Sequence, residues 1–291
     1  MLDCLIVGGG PAGLTAAIYL ARFRRHSLLI DAGHSRAELI PATHNYPGFM
    51  SINGPELLKR LRQQAEEQGA QLLSGEVRSV TRRNEAFVAE TTQGAFSART
   101  LVLATGLIDG APPVEGFDDG YAGPVRYCPI CDGFEALDKR IGVLGAADSA
   151  SRKAIFMRTY SKDVTMFPIG DVSAEARQSL ADSGIRLGGT PSRIVRDQQR
   201  VTVTTTDSHQ HELDVLYPAL GCKVNSELGF ALGASCDPIG MIHVDAHQQT
   251  NVTGLYAAGD VVTDLHQISV ATAHAAVAAT QIHNGLDPNP R

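Results

Sequence analysis

Tryptophan is absent from the 291-residue chain, and aromatic residues together make up only 5%. Cysteine is also scarce: five scattered residues are too few for the disulfide scaffold of a small secreted domain. No apolar run approaches the roughly 18 residues of a membrane-spanning helix. Strand-like sequence starts at Leu2 and runs straight into glycines, a pattern unlike a signal peptide. Basic residues are not in excess. With 25 Lys and Arg against 31 Asp and Glu the net charge is −6, so no extended basic face for nucleic acid is expected. What the chain does hold is 43% hydrophobic residues, 19% charged residues and 29 glycines. That composition builds real cores, and the length suits one large domain or two ordinary ones of roughly 100–200 residues. The expectation is a soluble, cytoplasmic protein whose backbone approaches a cofactor closely.

The first motif comes at once. Leu5-Ile6-Val7 leads into Gly8-Gly9-Gly10-Pro11-Ala12-Gly13. Leu14, Ala17, Ile18 and Ala21 follow at helical spacing, and a second apolar run, Ser27 to Ile30, ends at Asp31. Gly8, Gly10 and Gly13 fit G-x-G-x-x-G. The first permits a tight turn, the second lets the backbone reach a pyrophosphate, and the third lets helix and strand pack closely. The start of the helix offers amide donors and a positive dipole end to phosphates. Asp31 lies 18 residues after Gly13, where a carboxylate can accept from an adenosine ribose. Far along the chain, Ala258-Gly259-Asp260-Val261 follows an apolar strand and precedes an Ala-rich helix over 269–283. Asp260 there can bind a sugar alcohol such as the flavin ribityl chain. With both ends of the cofactor accounted for, FAD is favoured over NAD.

Between these ends the pattern predicts an amphipathic helix over 55–68 with Leu57, Leu58 and Leu61 inward, and strands over 77–80, 87–90 and 101–104. A turn-rich linker over 110–124 follows. A second strand–turn–helix–strand unit spans 141–167, with further strands over 201–206 and 213–220. The two copies of one βαβ pattern indicate two nucleotide-binding lobes.

Just after the linker stands Cys128-Pro129-Ile130-Cys131-Asp132. A C-x-x-C pair can close a redox disulfide, and its neighbours can depress a thiol pKa. Half of a zinc site and a pair of inert thiols are the rival readings; zinc needs two further ligands at suitable spacing. Asp132 is a candidate general acid for a leaving thiolate, or a helix cap. Cys4, Cys222 and Cys236 read as small buried hydrophobes.

The order of these motifs, together with Asn45-Tyr46-Pro47-Gly48-Phe49 and Ala104-Thr105-Gly106, resembles the low-molecular-weight thioredoxin reductases over nearly the whole chain. The resemblance implies an α/β fold with two Rossmann-like dinucleotide-binding domains, the second inserted into the first. An FAD-binding domain of residues 1–115 and 246–291 would be interrupted by an NAD(P)-type domain, 116–245, carrying the C-x-x-C. A homodimer and a thioredoxin-like or small dithiol partner are implied as well. Residue by residue, Cys131 would face the flavin, Cys128 would attack the partner disulfide and Asp132 would be the acid/base. Asp260 would hold the ribityl chain, with Gln267 and Ile268 near the isoalloxazine. The remaining cofactor set would be Gly8, Gly10, Pro11, Ala12, Gly13, Asp31, Asn45, Val77, Ala104, Thr105 and Gly106. No metal is expected.

Departures from the family pattern concern the electron donor. The second turn reads Gly145-Ala146-Ala147-Asp148-Ser149-Ala150, with a methyl where backbone should approach a pyrophosphate. Eighteen residues beyond Ala150 stands Pro168, within Phe167-Pro168-Ile169-Gly170. Neither a ribose-binding acid nor the family's His-Arg-Arg occupies that position, and Asp171 would repel a 2′-phosphate. Gly33-His34-Ser35-Arg36-Ala37 replaces a Gly-Gly-Gln-Leu stretch, so Arg36 either supplies charge to the FAD pyrophosphate or is simply solvated. His266 replaces an arginine before Gln267. The expected donor is therefore not NADPH; ferredoxin and a second flavin are the alternatives. Two other readings use the same residues: a dithiol oxidase with oxygen as acceptor, and a flavin-binding sensor without turnover.

Overall fold

The N-terminal apolar run forms β1 (Leu2–Val7), and a glycine turn joins it to α1 (Pro11–Arg22), with proline in its first turn, and then β2 (Ser27–Asp31). This computed structural model describes residues 1–117 and 123–290. The centre of the expected linker, 118–122, and the side chains of Ala147 and Asp148 lie outside the described residues. α2 (Gly54–Glu67) starts behind Asn53, whose Oδ1 accepts the Glu56 amide at 2.8 Å, and it buries Leu57, Leu58 and Leu61 as its spacing predicts. β3 (Gln71–Ser74), β4 (Val77–Arg83), β5 (Ala86–Thr91) and β6 (Gly94–Leu103) complete the first sheet, in the order β3-β2-β1-β6-β5-β4. The long β6 has two functions. Its first half pairs antiparallel with β5, while the second half runs parallel to β1 and to a strand from the far end of the chain, Leu255–Ala257.

β7 (Leu107–Asp109) leads into the second sheet, which follows the single turn α3 (Pro129–Asp132). Its elements are β8 (Ile141–Ala146), α4 (Ala147–Met157), β9 (Val164–Ile169), α5 (Ala174–Asp182) and β10 (Arg186–Leu187). β11 (Pro191–Arg196), β12 (Val201–Thr205) and β13 (Gln210–Leu213) form an antiparallel sheet of their own. β14 (Val215–Ala219) then returns to run parallel to β8, giving the order β10-β9-β8-β14. The strand expected over 213–220 is β14, with Leu213 instead ending β13 in the other sheet. Asp214 makes the break: its carboxylate accepts the Arg140 amide at 2.9 Å and an Arg140 guanidinium nitrogen at 2.8 Å, turning the chain between them.

After β15 (Cys222–Val224) come α6 (Glu227–Ala231), β16 (Leu255–Ala257) and α7 (Ile268–Gly285). The chain divides into two compact units, one of residues 1–42, 46–108 and 223–291, the other of 43–45 and 109–222. The expected divisions after 115 and 245 are corrected to 108 and 222. The return is early because the residues just after 222 build into the first unit. Thr105 donates its hydroxyl to the Asn225 carbonyl at 2.6 Å, and Asn225 donates back to the Thr105 carbonyl at 3.0 Å. Ile242 donates its amide to Val261 at 2.9 Å. Among the described residues no helix is long and apolar enough to cross a membrane.

In the first unit α7 lies on α1 through small residues: Ala271, Ala275, Ala278 and Ala279 share one buried cluster with Ala16, Ala17 and Leu20. Arg25, only 8% exposed, fastens the end of α7. It donates to Nδ1 of His283 (3.0 Å) and to the carbonyls of His283 (2.8 Å) and Asp287 (2.9 Å), acceptors left over at a helix C-terminus. Arg25→Leu is expected to lower the unfolding free energy by about 2–3 kcal/mol, because the three bonds of one buried guanidinium are lost together. A shift of the urea midpoint at constant slope would measure it.

Candidate active site

In the first unit the glycine turn is locked by close approaches. Gly8 has a φ of +108°, and a Cβ on it would stand 2.3 Å from the Ala104 carbonyl oxygen. A Cβ on Gly13 would stand 1.9 Å from the Gly8 carbonyl oxygen. A Cβ on Gly10, by contrast, would meet only the Ser35 hydroxyl, at 3.2 Å, and as N-cap of α1 Gly10 supplies no capping side chain. The first amides of α1, those of Ala12 and Gly13, have no acceptor within the helix. An anionic group can therefore meet backbone there. Gly9 is a residue the motif did not single out: a Cβ on it would lie 2.2 Å from the Asp31 carboxylate. The unbroken run Gly8-Gly9-Gly10 is the sequence signal for it.

Asp31 sits at the end of β2 as expected, and it is already engaged. Its Oδ2 accepts from Arg62 on α2 at 2.6 Å and its Oδ1 from the Gly33 amide at 2.9 Å. Two carboxylate oxygens carry about four acceptor sites, so a ribose hydroxyl can still be accommodated. Gly75 donates its amide to the Asp31 carbonyl at 2.9 Å, which brings Val77, at the start of β4, to the same end of the turn. At the other end, Gly259 has a φ of +85°, and a Cβ there would stand 3.0 Å from the Ala12 Cβ. Arg36 lies 3.3 Å from Asp260, both about one-fifth exposed, so Arg36 is paired rather than simply solvated. Gln267 caps α7 and Ile268 opens it, packed on the cluster that holds Ala12 and Ala258. Ala104 and Gly106 flank Thr105; Gly106, at φ +64°, offers its carbonyl to the Asn225 amide at 3.0 Å. His274 on α7 was not foreseen. Burial lowers its pKa against the pull of Asp260, and its Nδ1 is buried without a hydrogen-bond partner among the described residues. A glycine cradle, free helix amides, a paired Arg–Asp and a buried acceptor together fit a dinucleotide such as FAD.

Asn45 belongs to the second unit. Its Nδ2 donates to the Ile130 carbonyl at 3.2 Å, inside the C-x-x-C. Cys128 and Cys131 are joined as a disulfide, with their Cα atoms 5.3 Å apart. Cys128 caps α3, its Sγ accepting the Cys131 amide at 3.1 Å, a contact that favours negative charge on that sulfur. The next residue, Asp132, is half-buried. Burial pushes its carboxyl up to about 6, against the pull of the Arg126 charge and the Tyr217 hydroxyl. Tyr217 places its hydroxyl 2.9 Å from Asp132 Oδ1, and Arg126 Nε lies 4.0 Å from Oδ2. Neither partner was found from sequence: no local spacing joins Tyr217 to a residue 85 positions earlier. Gly133 admits no side chain, since a Cβ would meet the Pro129 carbonyl and the Tyr160 ring at 2.4 Å.

Of the other cysteines, Cys4 is fully buried and its thiol is pushed up to about 12 by that burial, which leaves it unreactive. Cys222 and Cys236 are only half-buried, a correction to their reading as core. They lie in a short connecting strand and a loop, which offer no complete apolar shell.

The profile of the pyridine nucleotide-disulphide oxidoreductases matches residues 2–279. The chain belongs to that family. The oxidoreductase is 31% identical to the thioredoxin reductase of Treponema pallidum, over 98% of this chain and 97% of that one. It is 30% identical to that of Listeria innocua, over 93% and 89% of the two chains. The solved thioredoxin reductase of Streptococcus pyogenes superposes with a TM-score of 0.90 at 26% identity, over 98% of this chain and 97% of that one. The oxidoreductase is accordingly a flavin-dependent disulfide enzyme of two Rossmann-like domains, and FAD is the cofactor its family implies.

Proposed function

We propose that this oxidoreductase passes electrons between FAD, the Cys128–Cys131 disulfide and a thioredoxin-like protein or small dithiol, with a donor other than NADPH. Bound FAD supplies the electron pair that opens the disulfide. Gly8, Gly10, Gly13 and the first amides of α1 hold its pyrophosphate, Asp31 its adenosine ribose, and Asp260 with Arg36 its ribityl and phosphate groups. Cys131 is the sulfur on the flavin's path, Cys128 attacks the partner disulfide, and Asp132 carries the proton. A cytoplasmic homodimer completes this reading.

The second βα turn is the observation that carries the choice of donor. In the first unit three residues separate β1 from α1, whereas β8 runs directly into α4. Gly145 lacks the positive φ of Gly8, and its Cα faces the Ala219 carbonyl oxygen, 2.1 Å from where a Cβ would stand. The Ser149 hydroxyl lies 3.1 Å from the Ala146 carbonyl and 3.0 Å from that of Ala219. Lys153 reaches the Pro218 carbonyl at 2.7 Å and that of Tyr127 at 3.2 Å. Side chains thus bind the strand ends at which a pyrophosphate would meet backbone amides. At the ribose position Phe167 and Pro168 are buried, with no carboxylate to offer.

Anaerobic titration of the oxidised enzyme with NADPH, NADH, reduced ferredoxin and reduced free flavin tests the reading. Flavin bleaching is expected to be slow or absent with NADPH and rapid with one of the last two. Rapid, stoichiometric bleaching by NADPH would overturn the choice of donor. Oxygen uptake driven by a dithiol would reverse the direction of flow.

A further inference from the structure

We infer that Tyr217 and Arg126 are positioning residues that fix Asp132 in the orientation from which its Oδ2 exchanges a proton with the disulfide. The inference rests on the disulfide chemistry proposed above and assigns the parts that govern its proton.

The argument starts with a hydroxyl in an apolar place. Tyr217 is fully buried on β14, within a cluster that includes Ile141, Val143, Ala154, Met157 and Val164. A phenylalanine would fill such a site, and a buried hydroxyl is unfavourable there unless it is hydrogen-bonded. Among the described residues this hydroxyl donates to Asp132, to Oδ1 at 2.9 Å and to the backbone carbonyl at 3.2 Å. Arg126 Nη1 donates to that same carbonyl at 3.2 Å. Side chain and peptide of one residue are therefore held by two partners, one on β14 and one in the segment that precedes α3. The backbone explains why those partners stand together. Arg126 donates its amide to Leu216 at 2.9 Å and Leu216 donates to Pro124 at 2.8 Å, which stitches this segment alongside β14.

The division of labour between the oxygens follows. Tyr217, whose own ionisation is pushed far upward by burial and by Asp132, remains a donor and occupies Oδ1. The acidic proton is left to Oδ2. When a thiolate attacks one sulfur of the disulfide, the S–S bond breaks and the other sulfur departs with the electron pair. Asp132 gives that sulfur its proton, so that thiolate and carboxylic acid become thiol and carboxylate. The carboxylate then keeps the Tyr217 bond and the nearby Arg126 charge. Lys153 on α4 favours it too, while burial and Glu135, itself paired with His44 at 2.9 Å, oppose it.

Dithiothreitol is a suitable probe, since it opens the disulfide without any flavin donor. The fraction opened can be read by alkylation and mass, and the rate expressed per dithiothreitol thiolate. In the native enzyme that rate is expected to fall as pH rises through about 6, where Asp132 loses its proton. In Tyr217→Phe the fall is expected about one pH unit higher, because the bond lost is one made to the ionised form. Arg126→Met is expected to move it in the same direction, and decides the matter alone should Tyr217→Phe not fold. Asp132→Asn is expected to abolish the fall. Uniformly slower rates in Tyr217→Phe and Arg126→Met, with the fall unmoved, would overturn the inference. A fall that survives in Asp132→Asn would overturn the role of Asp132 itself. A disulfide that dithiothreitol never opens in the native enzyme would instead sink the underlying redox reading.

Discussion

Gly13→Val is expected to leave purification with its flavin content reduced at least about tenfold. The reason is a chain of contacts rather than one clash. A side chain at Gly13 meets the Gly8 carbonyl at 1.9 Å, and Gly8 cannot withdraw because its own Cα faces the Ala104 carbonyl. The added volume must therefore move the whole turn away from the amides of Ala12 and Gly13. Overpacking of this kind destabilises by about 1–3 kcal/mol, and lost cofactor binding removes a further stabilisation by mass action. The ratio of flavin to protein absorbance after gel filtration measures retention. Circular dichroism of the same sample separates a folded, flavin-poor enzyme from an unfolded one. Full retention of flavin would show that the turn does not hold the pyrophosphate.

Cys128→Ser and Cys131→Ser are each expected to reduce turnover with a disulfide partner by roughly three orders of magnitude or more, since neither leaves a closed redox pair. The two variants should differ in what they trap. Cys131→Ser retains the sulfur proposed to attack the partner and should accumulate a mixed disulfide with it, because no neighbouring thiol remains to resolve the bond. Cys128→Ser should accumulate none. Non-reducing electrophoresis with a dithiol partner protein compares them. A mixed disulfide formed only by Cys128→Ser would exchange the roles of the two sulfurs.

The parts of this molecule that are legible in sequence are those written in neighbouring residues. The glycine turn, α1 and Asp31 fall within one short stretch, in which Gly8 and Gly13 answer to nearby backbone atoms and Gly9 to the Asp31 carboxylate. The C-x-x-C is equally local. Arg126, Lys153 and Tyr217 have no such signature. They reach Asp132 or the strand ends beside it only because β14 returns to lie alongside β8, a pairing between distant segments. The same holds for Arg62, which reaches Asp31 from a helix whose periodicity reports only its apolar face. The return of the chain at 222 escaped for a related reason. Turn residues around 240–251 mimic a boundary, whereas the true one depends on the reciprocal bonds of Thr105 and Asn225. Asp214 ends β13 by binding Arg140, and a run of strand-forming residues cannot show that.

The seat of α7 on α1, fastened by Arg25, gives synthesis an order. The first unit is built from both ends of the chain, while residues 109–222 of the second are contiguous and leave the ribosome earlier. Until β16 emerges, the second half of β6 presents an unpaired edge, and the alanine face of α1 lacks its cover. The nascent chain therefore holds the segment of the second unit while the first unit still lacks β16 and α7. The first unit closes only when β16 pairs with β6 and α7 covers α1.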